Sequence, residues 1–316
     1  MNMMTNNAPT SHAAAIAAPA RRPPHVCVYA SQVAACIGRN KHRPASEAAM
    51  LMWERMDPSG FVGALWRNGM QREEDVMCRL VDSNEEIRGL VARSMHAAGS
   101  STEVAQRYQE AREDLGAIRG LGEDNRELVN AALRKNLYTS YGNRAEHEML
   151  GHIREVMQIP CHADPTTYKK HMGDIDGTPW YIGGQIDALA DDGSAVIEIK
   201  NRVNHLFGRV PVYERLQVQT YLELLDLDRG LVVECLKEGH VVRTGVMCVP
   251  RDRDEWGATV VPVLREFVAF VLRLVGDPAL QDEFLTSKRR NALMSAVTTT
   301  ATATATATPQ APLPEK

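Results

Sequence analysis

The stretch IDALADDGSAVIEIK, residues 186–200, sets Asp187, Glu198 and Lys200 into two apolar runs joined by a turn. Asp192–Gly193 is a strong hairpin signal, because a two-residue type I′ loop needs positive φ at both positions. A loop centred there pairs Asp187 with Glu198 across the hairpin. Directly opposed side chains have Cβ atoms roughly 4.5–5.5 Å apart, and two carboxylates so placed repel each other unless a cation lies between them. Lys200 shares their face, whereas Ile186, Ala188, Ile197 and Ile199 take the opposite one and supply the core. Asp187, Glu198 and the carbonyl of Ile199 are hard oxygen donors of the kind that hold one or two Mg²⁺ or Mn²⁺ ions. A compact ammonium beside such a site suits phosphodiester hydrolysis. The competing reading is an exposed hairpin with ordinary surface charges.

Two helices bring further polar groups into reach. AEHEMLGHIREVM, residues 145–157, is amphipathic, and Glu146 shares the stripe of Met149, Leu150 and Ile153. A carboxylate on a buried stripe needs a partner, unless it is a helix-start acid favoured by the macrodipole after Gly142. ERLQVQTYLELL sets Gln217 and Tyr221 one helical turn apart, where the amide can hold a lysine, a water or a phosphate oxygen.

The elements that position these residues read as helices first, then strands and helices mixed, an α/β (α+β) class. A short helix is predicted at 30–38, with Ser31 as N-cap and Gly38 as stop. Residues 57–138 read as several helices, partly an insertion. Strands are predicted near 166–171, 179–190, 195–201, 231–237 and 240–249, with helices at about 211–227 and 255–275. The Ala/Pro/Asn-rich segment 1–24 and the Thr-Ala and Pro tail 289–316 are predicted to be disordered, leaving 25–288 as the folded domain.

Composition narrows the function classes. The 316 residues are 44% apolar and 24% charged, as in globular chains, and no uncharged apolar run approaches the length of a membrane span. The six scattered cysteines include no C-x-x-C pair, which points to reduced thiols and an intracellular setting and disfavours an iron–sulfur cluster. HEMLGH at 147–152 spaces its histidines five apart, so it is not a zinc-protease motif. With a net charge of −4, nucleic-acid binding must be local, and Arg39, Lys41, Arg43 and Arg202, among other basic residues, are the predicted phosphate contacts.

Taken in order, YASQVAACIG, YGNRAEHEML, GGQIDALADDGSAVIEIKN and RLQVQTYLELL resemble the PD-(D/E)xK nucleases. More narrowly, they are similar to the lambda-type phage exonucleases and YqaJ-like viral recombinases. The resemblance implies a restriction-endonuclease-like core: a central mixed β-sheet flanked by helices. It also implies an Mg²⁺-dependent deoxyribonuclease with Asp187 and Glu198 as metal-binding acids, Lys200 as the catalytic lysine, and Glu146 and Gln217 completing the site. Ser31 and Tyr221 would lie at the DNA, Ser31 near its end. The implied activity is 5′ to 3′ digestion of linear duplex ends in recombination, in host cytoplasm or nucleus if viral. A single-strand annealing partner and a ring-shaped homo-oligomer also follow from the resemblance. An endonuclease and a noncatalytic DNA-binding protein are the alternatives. The basic residue that the family places shortly before the serine is absent, with Arg21 or Arg22 as displaced candidates. The separation of 115 positions from Ser31 to Glu146 exceeds what the family core requires.

Overall fold

The computed structural model describes residues 25–288, with Arg290 and Met294. The predicted tail 1–24, with Arg21 and Arg22, and nearly all of 289–316 lie outside the described residues. The chain opens with β1 (Val26–Tyr29), whose Val26 and Val28 point into the core, followed by α1 (Ala30–Cys36). The helix stops where Gly38 takes φ +71°, as expected, but Tyr29 rather than Ser31 stands at the N-cap and makes no side-chain cap bond.

Next come α2 (Ala45–Met56), α3 (Pro58–Arg67), α4 (Glu73–Ser83), α5 (Glu85–Ser94) and α6 (Ser101–Ala117). Side chains of Asp57, Asn84 and Ser100 accept from backbone N–H groups at the starts of α3, α5 and α6, so these three breaks in the helical run have a local cause. Helix α7 (Glu123–Glu155) has 33 residues, and the predicted helix at 145–157 corresponds to its last third. Gly142 therefore lies inside it, and Glu146 is no helix-start acid. Its buried residues, Val129, Leu133, Leu137, Tyr141, Ala145, Met149 and Ile153, recur every fourth position. Such a stripe drifts by about 40° per step, so it winds around the helix and meets different partners along its length. Val129 and Leu133 close a helical core with Ile87, Leu90 and Leu115, whereas Met149 and Ile153 pack under the sheet on Ile197, Ile199 and Val233.

The strands follow: β2 (Cys161–Ala163), β3 (Thr167–Ile175), β4 (Thr178–Gln185), β5 (Ala188–Ala190) and β6 (Val196–Arg202). Helix α8 (Val212–Leu225) then crosses over to β7 (Arg229–Glu238), which turns back as β8 (Val241–Pro250). One sheet has the order β1-β4-β3 and the other β2-β5-β6-β7-β8. Strands β4 and β5 are one run of chain that changes sheet at Ile186 and Asp187. Both sheets are mixed: β1 is parallel to β4 and β6 to β7, and the other pairs are antiparallel. This is the mixed α/β core that the sequence predicts, with helices through most of 57–138 as expected; β1 and β2 are strands it does not predict.

The β5–β6 register pairs Ala188 with Ile197 and Leu189 with Val196, as predicted. The connection differs. It is the four-residue loop 191–194, with Gly193 alone at positive φ (+69°) and its N–H donated to the Ala190 carbonyl at 2.8 Å. Two- and four-residue loops with one centre give one register, which is why the pairing survives the change of turn.

The chain ends with α9 (Arg253–Glu255), a π-helical turn (Trp256–Val260), α10 (Val261–Gly276) and α11 (Pro278–Thr286). Helix α10 joins α1, α2 and the inner face of β1 and β4 in the largest core, around Trp53, Trp180 and Phe267. Among the described residues no helix is long and apolar enough to cross a membrane.

Candidate active site

Glu198 and Lys200 alternate with the buried Ile197 and Ile199 along β6 and therefore project together toward α8. Glu198 is 2% exposed. Its Oε1 accepts from Lys200 Nζ at 2.5 Å and from Gln217 Nε2 at 2.8 Å. Gln217 Oε1 in turn accepts from Lys200 Nζ at 3.2 Å, and Gln217 Nε2 also donates to the Tyr221 hydroxyl at 3.0 Å. One amide thus reads the lysine with its oxygen and the glutamate and phenol with its nitrogen, which fixes its orientation. Tyr221 is 4% exposed and packs on Gly184, where a Cβ would stand 2.7 Å from the ring. The glycine lets α8 approach the sheet closely enough for Gln217 to reach β6.

Asp187 sits at the bend between β4 and β5, just past the end of the ladder. Its Oδ2 accepts from the Ile199 N–H at 2.7 Å. The N–H and C=O of one extended residue point to the same edge of a strand, so the Ile199 carbonyl also faces this acid. Asn201 ties β6 to the helix that carries Glu146, its Nδ2 donating to the Gly142 carbonyl at 3.2 Å.

The electrostatics identify a crowded acidic site. Burial, with Glu146 adding to it, pushes the Asp187 carboxyl up to about 6 against the pull of the Ile199 N–H and Lys200. Burial and Asp187 likewise push Glu198 up to about 7, although Lys200 opposes them. Glu146 on α7 is raised by burial and by Glu198, so its charge is felt at the sheet. Burial works against the Lys200 ammonium, but Glu198 and Asp187 outweigh it and hold its pKa above the ordinary lysine value.

Glu198 Oε2 is buried and has no hydrogen-bond partner. A buried unpartnered carboxylate oxygen costs several kcal/mol unless a cation or donor satisfies it. Among the described residues no three His, Cys, Asp or Glu side chains converge as a metal cage. Mg²⁺ does not require one: it is commonly held by one or two carboxylates and keeps several waters. Glu198 Oε2, Asp187 and the Ile199 carbonyl fit that demand, and Glu146 is close enough for its charge to bear on both acids.

The structure brings together Glu146, Asp187, Glu198, Lys200 and Gln217. The predicted DNA contacts fall in several places. Arg202 is engaged within the protein: its side chain is 10% exposed, bound to Glu214 through two 2.7 Å bonds and to Glu234 at 2.6 Å, and it stacks on Phe207. All three of its nitrogens are engaged by carboxylates. Tyr221 is buried, and its hydroxyl accepts from Gln217. Ser31 is exposed near the start of α1 but caps nothing; Arg39 pairs with Glu255 at 2.6 Å, Arg43 with Glu47 at 3.0 Å, and Lys41 is exposed. Sequence reasoning missed Glu214 and Glu234. Glu234 stands amid the apolar run LVVECL of a strand, and that misfit is the signal from which it was legible.

Neither a protein-family model nor a curated protein matches the sequence. Among solved structures, the alkaline exonuclease of Laribacter hongkongensis matches at 16% identity and TM-score 0.34, covering 65% of this chain and 91% of that one. A phage-related exonuclease of Haemophilus somnus 129PT matches at 12% identity and TM-score 0.37, covering 83% of this chain and 96% of that one.

Proposed function

We propose that the protein is a divalent-metal-dependent deoxyribonuclease that hydrolyses phosphodiester bonds at Asp187, Glu198 and Lys200. The observation that carries this reading is the buried, unpartnered Oε2 of Glu198, beside a second raised carboxylate and a tethered ammonium. Glu198, Asp187 and the Ile199 carbonyl would hold Mg²⁺ or Mn²⁺, with Glu146 steadying its waters or a second ion. When bound, the ion polarises the phosphate and acidifies a water. Lys200 contributes a fixed cation where negative charge grows on the phosphate oxygens. Held protonated by its acidic neighbours, it serves as donor and charge rather than as base in the metal-free site. Gln217, oriented by Tyr221, keeps the ammonium from swinging away.

Within this reading, attack proceeds from the ends of linear duplexes in the 5′ to 3′ direction, and the remaining 3′ strand passes to a strand-annealing partner. The exposed basic segment Arg39–Arg43 after α1 supports DNA contact near Ser31. The test uses end-labelled linear duplexes, with and without 5′-phosphate, beside closed circular plasmid and Mg²⁺. Release of 5′-labelled mononucleotides with intact plasmid is expected. Plasmid linearisation would make the protein an endonuclease, and no metal-dependent cleavage of any substrate would remove the catalytic reading.

A further inference from the structure

The sheet β1-β4-β3 buries only one face. Val26, Val28, Trp180 and Ile182 point inward, where α1, α8 and α10 pack. The register places Tyr29, Lys169, His171 and Tyr181 on the other face: Tyr29 lies beside Gly183, Lys169 across from Gly183, and His171 across from Tyr181. Tyr29 remains 39% exposed, and Lys169 and His171 are exposed.

Aromatic and cationic groups interleave there. Arg55, from the end of α2, lies over the Tyr29 ring at 4.9 Å, and Lys169 Nζ lies over the Tyr181 ring at 4.1 Å, with His171 5.1 Å from the same ring. Among the described residues of β1, β3 and β4 the only acid is Asp174, and it is bonded to His171 at 3.1 Å. On a chain of net charge −4 this is a locally positive surface. Gly183 keeps it flat, since a Cβ there would stand 3.0 Å from Cys27 Sγ and 3.1 Å from the Tyr168 carbonyl oxygen. Strand β4 then runs from Tyr181 to the bend at Asp187, about 20 Å at strand rise.

We propose that this open face is a track for single-stranded DNA that runs along β4 and passes around its exposed end at Gln185 to the site at Asp187. Arg55 and Lys169 swing off the two rings to pair with phosphates, and unpaired bases stack on the Tyr29 and Tyr181 faces that they vacate. Base stacking on aromatic side chains needs the faces of unpaired bases, which a duplex conceals, so rings set among cations select a single strand. The track deepens the nuclease reading of Asp187 and Glu198, but its test requires no cleavage.

Binding of a fluorescent 20-nucleotide oligodeoxythymidylate is followed by anisotropy in EDTA, beside a duplex and an oligouridylate of equal length. Arg55→Glu with Lys169→Glu should weaken the thymidylate at least ~10-fold, and Tyr29→Ala with Tyr181→Leu at least ~5-fold. Lys169→Glu alone repeats the test without disturbing the bond from Arg55 to the Cys27 carbonyl. Arg119→Glu, exposed on the helical segment, should stay within ~2-fold of wild type. Variants that melt with the wild type yet bind thymidylate as it does would overturn the track. An equal loss for duplex would make the face a duplex groove, and a loss confined to oligouridylate would make it an RNA surface; either result overturns the proposal. Wild-type protein that cleaves DNA while these variants bind normally would leave the nuclease reading standing and remove only the track.

Discussion

Lys200 and Glu198, two residues apart on one face of β6, hold their charges 2.5 Å apart at Glu198 Oε1, while Oε2 stays unpartnered. The lysine thus competes with a metal for one glutamate oxygen and leaves it the other. Lys200→Ala should therefore lower cleavage by ~10²–10⁴-fold while Mn²⁺ binds several-fold more tightly, because a nearby positive charge is gone. Calorimetric Mn²⁺ titration beside single-turnover cleavage separates the two effects. Weaker Mn²⁺ binding would show instead that the lysine is needed to shape the ligand set.

Arg202 is predicted to be a stability residue. Its removal leaves Glu214 and Glu234 buried without their cation, and Glu234 also accepts the Phe207 and Gly208 N–H groups that hold the loop after β6. Breaking such a buried pair costs about 3–5 kcal/mol. Arg202→Ala should unfold at markedly lower denaturant, and Arg202→Lys, where it folds, should bind DNA within ~2-fold of wild type. Normal stability with lost DNA affinity would return Arg202 to the DNA surface.

The contrast between Arg202 and Asp187 shows which parts of the site were legible. Hairpin register follows from alternation and an even loop, both local, so Asp187, Glu198 and Lys200 could be placed on one face from residues 186–200 alone. Arg202 depends on Glu214 and Glu234, one on the next helix and one on the next strand, and nothing near Arg202 distinguishes a buried guanidinium from a phosphate contact. The sequence shows only the last part of α7 for a related reason: Gly142 suits a position just ahead of a helix start when tertiary partners, here the Asn201 bond to its carbonyl, are unseen. The bond from the Ile199 N–H to Asp187 is likewise invisible to pattern, because it joins a backbone group to a side chain beyond the ladder.

The segment 96–106 reads as a loop that tolerates trimming, but the structure argues otherwise. Ser101, 1% exposed, donates its hydroxyl to the Lys237 carbonyl at 2.7 Å, and Ala98 and Val104 pack with Tyr141 and Ala145 next to Glu146. Ser101→Ala should cost about 1 kcal/mol, and deletion within 96–106 should destabilise the sheet as well as the helical segment. Hydrogen exchange at β7 is the readout. Unchanged protection there after deletion would show that the helices fold separately.

The final prediction concerns pH. Asp187 and Glu198 are raised to about 6 and about 7, above the values of 3.8 and 4.5 that they take when unfolded. The native state therefore binds protons more tightly than the unfolded chain between about pH 4 and pH 7, and stability falls as pH rises through that window. In EDTA, Glu198→Gln should match wild type at pH 5, where Glu198 is largely protonated, and exceed it at pH 8. The gain expected there is about 1–3 kcal/mol, or roughly 2–6 °C in Tm. Mg²⁺ should reverse the order, because it binds the charged carboxylates: it should stabilise wild type more at pH 8 than at pH 5 and leave Glu198→Gln nearly unmoved. Thermal melts of both proteins, with EDTA and with Mg²⁺, at the two pH values give the answer. If Mg²⁺ raised the Tm of both proteins equally, the ion would bind away from Glu198, and the assignment of Oε2 as a metal ligand would fall.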